Sequence, residues 1–259
     1  MRRLPILVIM ATAGLLALTG CKKSETPPTE PAAALAPTVK VDKAFGDKVR
    51  AYLLQNPQVL LEVSQALQAK QFAESEAAAE AGRRKIPMFR ARLERDPRDF
   101  VANPNGRVTV VEFYDYNCTY CKVIAPEVMA LIRQHPEVRF VFKDFTLGSF
   151  GPTSEYAAAA AKALRDKGLF LDGHQEMMAR KPLTDEMVDD LLKRNGISPA
   201  GVRTFEQTPD QKKYLDDVRT LAGDIGLDGT PAFVIGDTVV PGADPERLRA
   251  AIASALAGR

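Results

Sequence analysis

The chain has 259 residues and is short of three things: cysteine, with three, histidine, with two, and net charge, which is +2. Arg2 and Arg3 supply that charge, and the rest carries 33 basic and 33 acidic side chains, which argues against a nucleic-acid partner. His135 and His174 have no spacing that would complete a zinc site with a cysteine pair, so no metal is expected. At 46% hydrophobic and 26% charged, the composition excludes a disordered, collagen-like or polytopic membrane chain. The length suits one catalytic domain and an accessory segment.

What is present begins with a leader. Arg2 and Arg3 precede an apolar run from Leu4 to Leu18, shorter than the ~20 residues of a spanning helix, so residues 1–20 read as an export signal peptide. Leu18-Thr19-Gly20-Cys21 resembles the bacterial lipobox, which implies a lipid on Cys21; the alternative is an ordinary secretory peptide with a coincidental cysteine. Lipidation would leave Cys118 and Cys121, an even number for a compartment where disulfides persist. Residues 21–41, with Pro27, Pro28, Pro31 and Pro37, read as an extended tether from that anchor. The expected location is a membrane-anchored lipoprotein facing the periplasm.

Residues 42–98 read as a helical arm and a basic linker. Phe45, Val49, Tyr52 and Leu53 share a stripe before Asn56-Pro57, and Leu60, Val63, Leu67 and Gln71 follow at helical spacing, so two helices are expected, with Gly82 and Pro87 ending or kinking the second. About 40 residues rarely bury enough surface to fold alone. Residues 43–82 are therefore expected to join subunits as a dimer or trimer, the alternative being an arm lying on its own catalytic domain. From Arg83 to Arg98, seven basic residues against Glu94 and Asp96 read as a solvated linker, with anionic lipid contact as a lesser option.

The remainder, 99–259, reads as the catalytic domain. Val108 to Tyr114 has the apolar pattern of a central strand, Lys122 to Gln134 is helical and Val138 to Phe142 is a second strand. Together they make a βαβ unit with Cys118-Thr119-Tyr120-Cys121 at its first turn. Amides at a helix N-terminus stabilise a thiolate, so Cys118 is expected to attack and Cys121, one turn further in, to resolve. A helical segment occupies about 152–226, strands return at Ala232 to Ile235 and Thr238 to Val240, and a last helix runs from Asp244 to Ala257. Thr230-Pro231 stands just before a strand, a natural place for a cis bond in a tight turn. His174 reads as a histidine packed in the helical insertion.

A βαβ unit with C-x-x-C, a late Thr-Pro before a hairpin and a closing helix resemble the thioredoxin fold. Glu112 to Cys118, Lys143-Asp144-Phe145 and the helical insertion resemble its DsbA-like branch over roughly residues 99–258, and the arm resembles the N-terminal module of the ScsC group. The resemblance implies an α/β thioredoxin fold with a large helical insertion and an all-helical N-terminal arm. It further implies that Cys118 is a surface nucleophile and Cys121 a buried resolving thiol. Thr230 and Pro231 would form the ledge on which a client strand pairs, beside Thr119 and Tyr120. Glu112 matches the family's buried acid and would move a proton to or from Cys121; by alternation alone it would face solvent. No cofactor is implied beyond the redox-active Cys118–Cys121 disulfide.

The function so read is thiol:disulfide exchange on cysteines of exported client proteins, serviced by a membrane redox partner. The Thr119-Tyr120 dipeptide, Thr230 and the arm point toward isomerase or reductase. The alternatives are a disulfide-donating oxidase of the same fold and a non-enzymatic oligomeric chaperone or scaffold whose cysteines are incidental.

Overall fold

The computed structural model describes residues 42–258, so the readings that fall on residues 1–41, namely the signal peptide, Cys21 and the tether, lie outside the described residues. Contacts divide the chain between Val59 and Leu60. The first unit holds helix α1, Lys43–Gln55, started by the Asp42 carboxylate, which accepts from the Ala44 amide at 3.2 Å. Asn56 ends it, its backbone and side-chain nitrogens both donating to the Tyr52 carbonyl at 2.9 Å. No residue of α1 is buried, and Phe45, Tyr52 and Leu54 stand in solvent.

Helix α2, Gln58–Arg83, begins one residue after Pro57, where a missing N–H costs nothing. Its apolar residues Leu60, Leu61, Val63, Leu67 and Phe72 are each more than half exposed. Only Gly82 is buried.

The segment read as a solvated basic linker is different in the structure. Ile86–Glu94 forms α3, with Pro87 in its first turn, and its Ile86 and Leu93 are fully buried beside Val111, Phe113 and Val141. Two apolar residues seven apart lie on one helix face, and the surrounding arginines hid that face in the composition. Those arginines stay outside, with Arg90 paired to Glu94 and Asp237 and Arg98 to Asp96 and Asp217.

The sheet has five strands: β1 Phe100–Ala102, β2 Val108–Tyr114, β3 Val138–Asp144, β4 Ala232–Ile235 and β5 Thr238–Pro241. Their order is β1-β3-β2-β4-β5, with β2 and β3 parallel and every other pair antiparallel. The parallel pair is joined by α4, Thr119–Gln134. Strand β2 is central and covered on both faces, so its alternation sorts residues between two cores. Val108, Val110 and Tyr114 join the core that contains Cys121 and Ile124, while Val111 and Phe113 join that of α3.

The insertion comprises α5 Thr153–Asp166, α6 Phe170–Ala179, α7 Asp185–Arg194, α8 Pro199–Glu206 and α9 Pro209–Asp224. Buried Ala157 to Ala161 keep α5 thin enough for its neighbours to close around it. Thr184, Ser198 and Thr208 cap α7, α8 and α9 through their hydroxyls, and prolines open the last two. Helix α10, Pro245–Ala257, capped by Asp244, closes the chain over β2, β4 and β5. The insertion and both late strands fall where the sequence places them. Strand β1, three residues long, is too short for alternation to announce it.

Candidate active site

Cys118 is the N-cap of α4, with φ −71° and ψ 120°, and its sulfur accepts from the Cys121 amide at 3.5 Å. The turn that brings it there is built by Asp115, a residue that sequence reasoning passed over. The buried Asp115 carboxylate accepts from the Asn117 amide and the Ser154 hydroxyl, both at 2.7 Å, and from the Leu147 amide at 3.1 Å. These bonds fix the strand-to-helix loop to the segments after β3 and at the start of α5. An Asp two residues before an Asn at the end of a strand is the local signal for such a turn.

Opposite Cys118 lies the Thr230–Pro231 bond, which is cis, as its place before β4 predicts. The Cys118 thiol donates to the Thr230 carbonyl at 3.2 Å, so the first cysteine and the cis-proline turn are in direct contact. Thr119 and Tyr120 are exposed beside them, Tyr120 at 66%. Cys121 is fully buried in the β2–α4 core.

Exposure does not separate the two sulfurs as the surface-nucleophile reading expects, since Cys118 is itself only 2% exposed. Charge environment does. The Cys118 pKa is pulled down to about 6, chiefly by the Cys121 thiol donating to it and further by the Thr230 hydroxyl and the Cys121 and Tyr120 amides, against the opposing effect of burial. The Cys121 pKa is pushed well above the ordinary thiol value, first by burial and then by the neighbouring Cys118 thiolate.

Glu112 lies on the Val110 and Tyr114 side of β2, and it is 2% exposed rather than solvent-facing. Alternation would turn it to water only in a sheet with one open face, and this sheet has none at β2. Burial lifts its pKa to about 8, and its Oε2 has no hydrogen-bond partner among the described residues. A neutral carboxyl is the outcome at pH 7, within electrostatic reach of Cys121, whose pKa its charged form would raise further.

Lys122, the residue after the second cysteine, is also drawn inward, its ammonium donating to the Arg180 carbonyl. Burial lowers its pKa, which Asp115 and, more weakly, the two cysteines counteract. Arg180 begins a loop with a second cis bond, Lys181–Pro182, tied back by the Leu183 amide donating to the Asn117 side chain at 3.3 Å. His174 is buried among Tyr114, Tyr116, Phe142 and Phe170, with Nδ1 3.0 Å from the Tyr116 hydroxyl. Burial drops its pKa to about 3, so it packs as a neutral ring.

Comparison with known proteins agrees with this arrangement. The model of the DSBA-like thioredoxin domain matches residues 109–253, and that of the copper resistance protein ScsC N-terminal domain matches residues 43–74. A solved structure of Proteus mirabilis ScsC in a transitional conformation is 30% identical, covering 85% of this chain and all of that one, with a TM-score of 0.61. A thioredoxin-like oxidoreductase from Silicibacter pomeroyi DSS-3 is 33% identical over 64% of this chain and 96% of its own, with a TM-score of 0.59. Among curated proteins, the chain is 27% identical to disulfide bond formation protein D of Bacillus subtilis, over 59% of this chain and 74% of that protein. It is also 29% identical, over 63% of its length, to a Na(+)/H(+) antiporter NhaA 1 of Salinispora arenicola, but it spans only 26% of that protein's length. With more than half of its residues matched by the family model, the chain belongs to the DSBA-like thioredoxin domain family and carries a ScsC-type N-terminal segment ahead of that domain.

Proposed function

We propose that this protein is a thiol:disulfide oxidoreductase that acts on cysteines of exported proteins, with isomerisation or reduction as its main direction. One observation carries the reading: two thiols one helical turn apart have pKa values driven in opposite directions, Cys118 to about 6 and Cys121 far upward. The Cys118 thiolate attacks one sulfur of a client disulfide, a mixed disulfide forms, and the second client sulfur leaves as a thiolate. In isomerisation, the freed client thiolate can open another client disulfide, and a client thiolate then attacks the client sulfur of the mixed disulfide, which forms a new client disulfide and expels Cys118 as the thiolate it began as. In reduction, Cys121 gives up its proton and attacks the Cys118 sulfur, the client leaves as a thiol, and two electrons have passed from the pair to the client. Glu112 is the group suited to pass the Cys121 proton, since with a pKa of about 8 the minor carboxylate form, about a tenth at pH 7, can accept that proton and the major neutral form can return one. Thr230 and Pro231 hold the client backbone beside the sulfur.

A Cys118 pKa near 6 lies between those of thioredoxin-like reductants and of strong oxidants, which supports the isomerase or reductase direction. The exposed apolar residues of the arm support assembly of the chain with itself, since rows of this kind in water are characteristic of protein interfaces. The Salmonella enterica relative described as a periplasmic thioredoxin-like protein supports an envelope location; Cys21 as lipid anchor rests on the Leu18-Thr19-Gly20-Cys21 motif alone, and a membrane redox partner on the exchange activity proposed here. No helix among the described residues is long and apolar enough to cross a membrane.

The test is the equilibrium of the Cys118–Cys121 pair in glutathione buffers, with Cys121→Ala used to trap clients. A potential between those of thioredoxin and strong oxidants, together with mixed disulfides on Cys118, is expected. The absence of adducts from the envelope fraction would overturn exchange through Cys118. Refolding assistance retained when both cysteines are replaced by alanine would favour the chaperone alternative.

A further inference from the structure

Between the last turns of α2 and the loop that ends in Thr230–Pro231 runs a groove of about 550 Å³. Close backbone packing seats the helix there. A side-chain carbon added to Gly82 would fall 2.4 Å from the Gly226 amide nitrogen, and one added to Gly226 would fall 2.9 Å from the Ala79 Cα. Gly226 also has φ +76°, so glycine is required there on both counts. The contact leaves no room for side chains at its closest point, but beyond it the walls stand apart.

Three features say what the open part would hold. It reaches Thr230, whose carbonyl touches the Cys118 thiol, so anything lying in it continues away from the nucleophile. Thr230 Oγ1 is buried at its inner end and helps to lower the Cys118 pKa, so the groove runs up to the reactive sulfur itself. Its mouth is acidic: Glu76 on α2 and Asp228 on the loop are exposed and make no ion pair among the described residues, whereas Arg83 is spent on Glu80 at 3.0 Å. Ala78, Ala79, Gly229 and Gly242 keep the walls low, which suits an extended backbone rather than a helix.

Building on the exchange activity proposed above, we infer that this groove is a client subsite with α2 as its second wall. Its occupant is an extended segment adjoining the client's reactive cysteine and bearing a lysine or arginine within a few residues of it. The arm then contributes to substrate selection from within a single chain, apart from any part it plays in assembly.

The experiment uses the full chain, with Cys21→Ser for solubility, and two ten-residue peptides carrying one cysteine as a mixed disulfide. One peptide has lysines flanking the cysteine and the other glutamates, and glutathione disulfide serves as a small substrate that cannot reach the groove. The lysine peptide should react about fivefold faster than the glutamate peptide, the effect of two exposed charge contacts. Glu76→Lys with Asp228→Lys should reverse that order while leaving the glutathione rate within twofold. Gly82→Val, which displaces α2, should erase the preference, again with the glutathione rate kept. An unchanged peptide ratio in both variants, with glutathione still reacting, would overturn the subsite. A preference seen only after residues 22–41 are deleted would assign the groove to the chain's own basic tether and would overturn it too. Failure of every substrate, glutathione included, would instead overturn the exchange activity on which the inference rests.

Discussion

The arm and the catalytic domain break opposite rules. Along the arm, Phe45, Tyr52, Leu60, Leu67 and Phe72 stand more than half exposed, while in the catalytic domain Glu112, Asp99 and Lys143 are almost wholly withdrawn from water. Each arrangement is costly for its residue type, roughly 1.5–3 kcal/mol for a large apolar side chain left in water and more for an unpaired charge out of it. The catalytic domain meets part of that cost internally. Lys143 and Asp99 pair at 2.5 Å, with the Tyr214 hydroxyl 3.2 Å from the same carboxylate, although burial still lifts the Asp99 pKa to about 6. Glu112 has no such partner among the described residues, and none of those residues covers the arm's row. A cost left unmet at two places is what the two proposed roles would draw on, proton transfer at one and association at the other.

The sharpest break is at the nucleophile. Cys118→Ser should reduce disulfide exchange by more than about 10³-fold in a client-refolding assay, because a hydroxyl cannot form the mixed disulfide. Residual exchange near the native rate would transfer the role to Cys121 and undo the contrast between the two sulfurs.

Next in size is the arm. Leu60→Glu with Leu67→Glu should dissociate the assembly to monomers in light scattering, weakening association by at least about 10²-fold, since each carboxylate would be buried without a partner. Thermal stability of the catalytic domain should change little, because both leucines are exposed within one chain. A mass unaltered by these substitutions would show that the apolar row is not the interface.

Glu112 gives a third, with a sign fixed by linkage. Its folded pKa is about 8 and its unfolded one near 4.5, so between those values the native state holds a proton that the unfolded state has lost. Stability contributed by this group therefore falls as pH rises from about 4.5 to 8. Glu112→Gln should remove that slope and stabilise the protein at pH 7 by up to about 3 kcal/mol, read in urea titrations across pH. At the same time, release of the mixed disulfide by Cys121 should slow. Stabilisation without slower release would make Glu112 a buried residue with no part in proton transfer.

These residues also mark how far the sequence could be read. Cys118-Thr119-Tyr120-Cys121 and Thr230-Pro231 are legible because each depends on local geometry, a helix N-terminus in one case and a turn before a strand in the other. Glu112 is not legible by alternation, which assigns faces but cannot say whether a face is covered, and covering needs α10, at the far end of the chain, as well as α4 next to it in sequence. The Ile86 and Leu93 face of α3 was hidden for a related reason: two apolar residues among arginines become a core only when β2 and α9 arrive to bury them. Asp115 carries a local turn signal, but its partners Leu147 and Ser154 lie more than thirty residues on. The seating of Gly82 on Gly226 leaves no trace in composition at all.

The smallest effect sharpens the comparison where its two halves meet, at a sulfur that is buried yet charged. With a folded pKa of about 6 against an ordinary value near 9, Cys118 is mostly thiolate at neutral pH. For a lowered pKa the stability gained is full above the unfolded value and is lost as pH falls through the folded one. Only the reduced protein has this thiolate, so its stability relative to the oxidised protein should decrease as pH falls from 8 to 5. The gain comes to about 1 kcal/mol at pH 7, equivalent to about 20 mV in the potential of the pair. Iodoacetamide trapping of the reduced protein should show Cys118 half-reactive near pH 6, with Cys121 silent throughout. A midpoint at 8.5 or above would mean that the Cys121 thiol and the α4 amides do not hold the charge, and the low-pKa argument for exchange would fall with it.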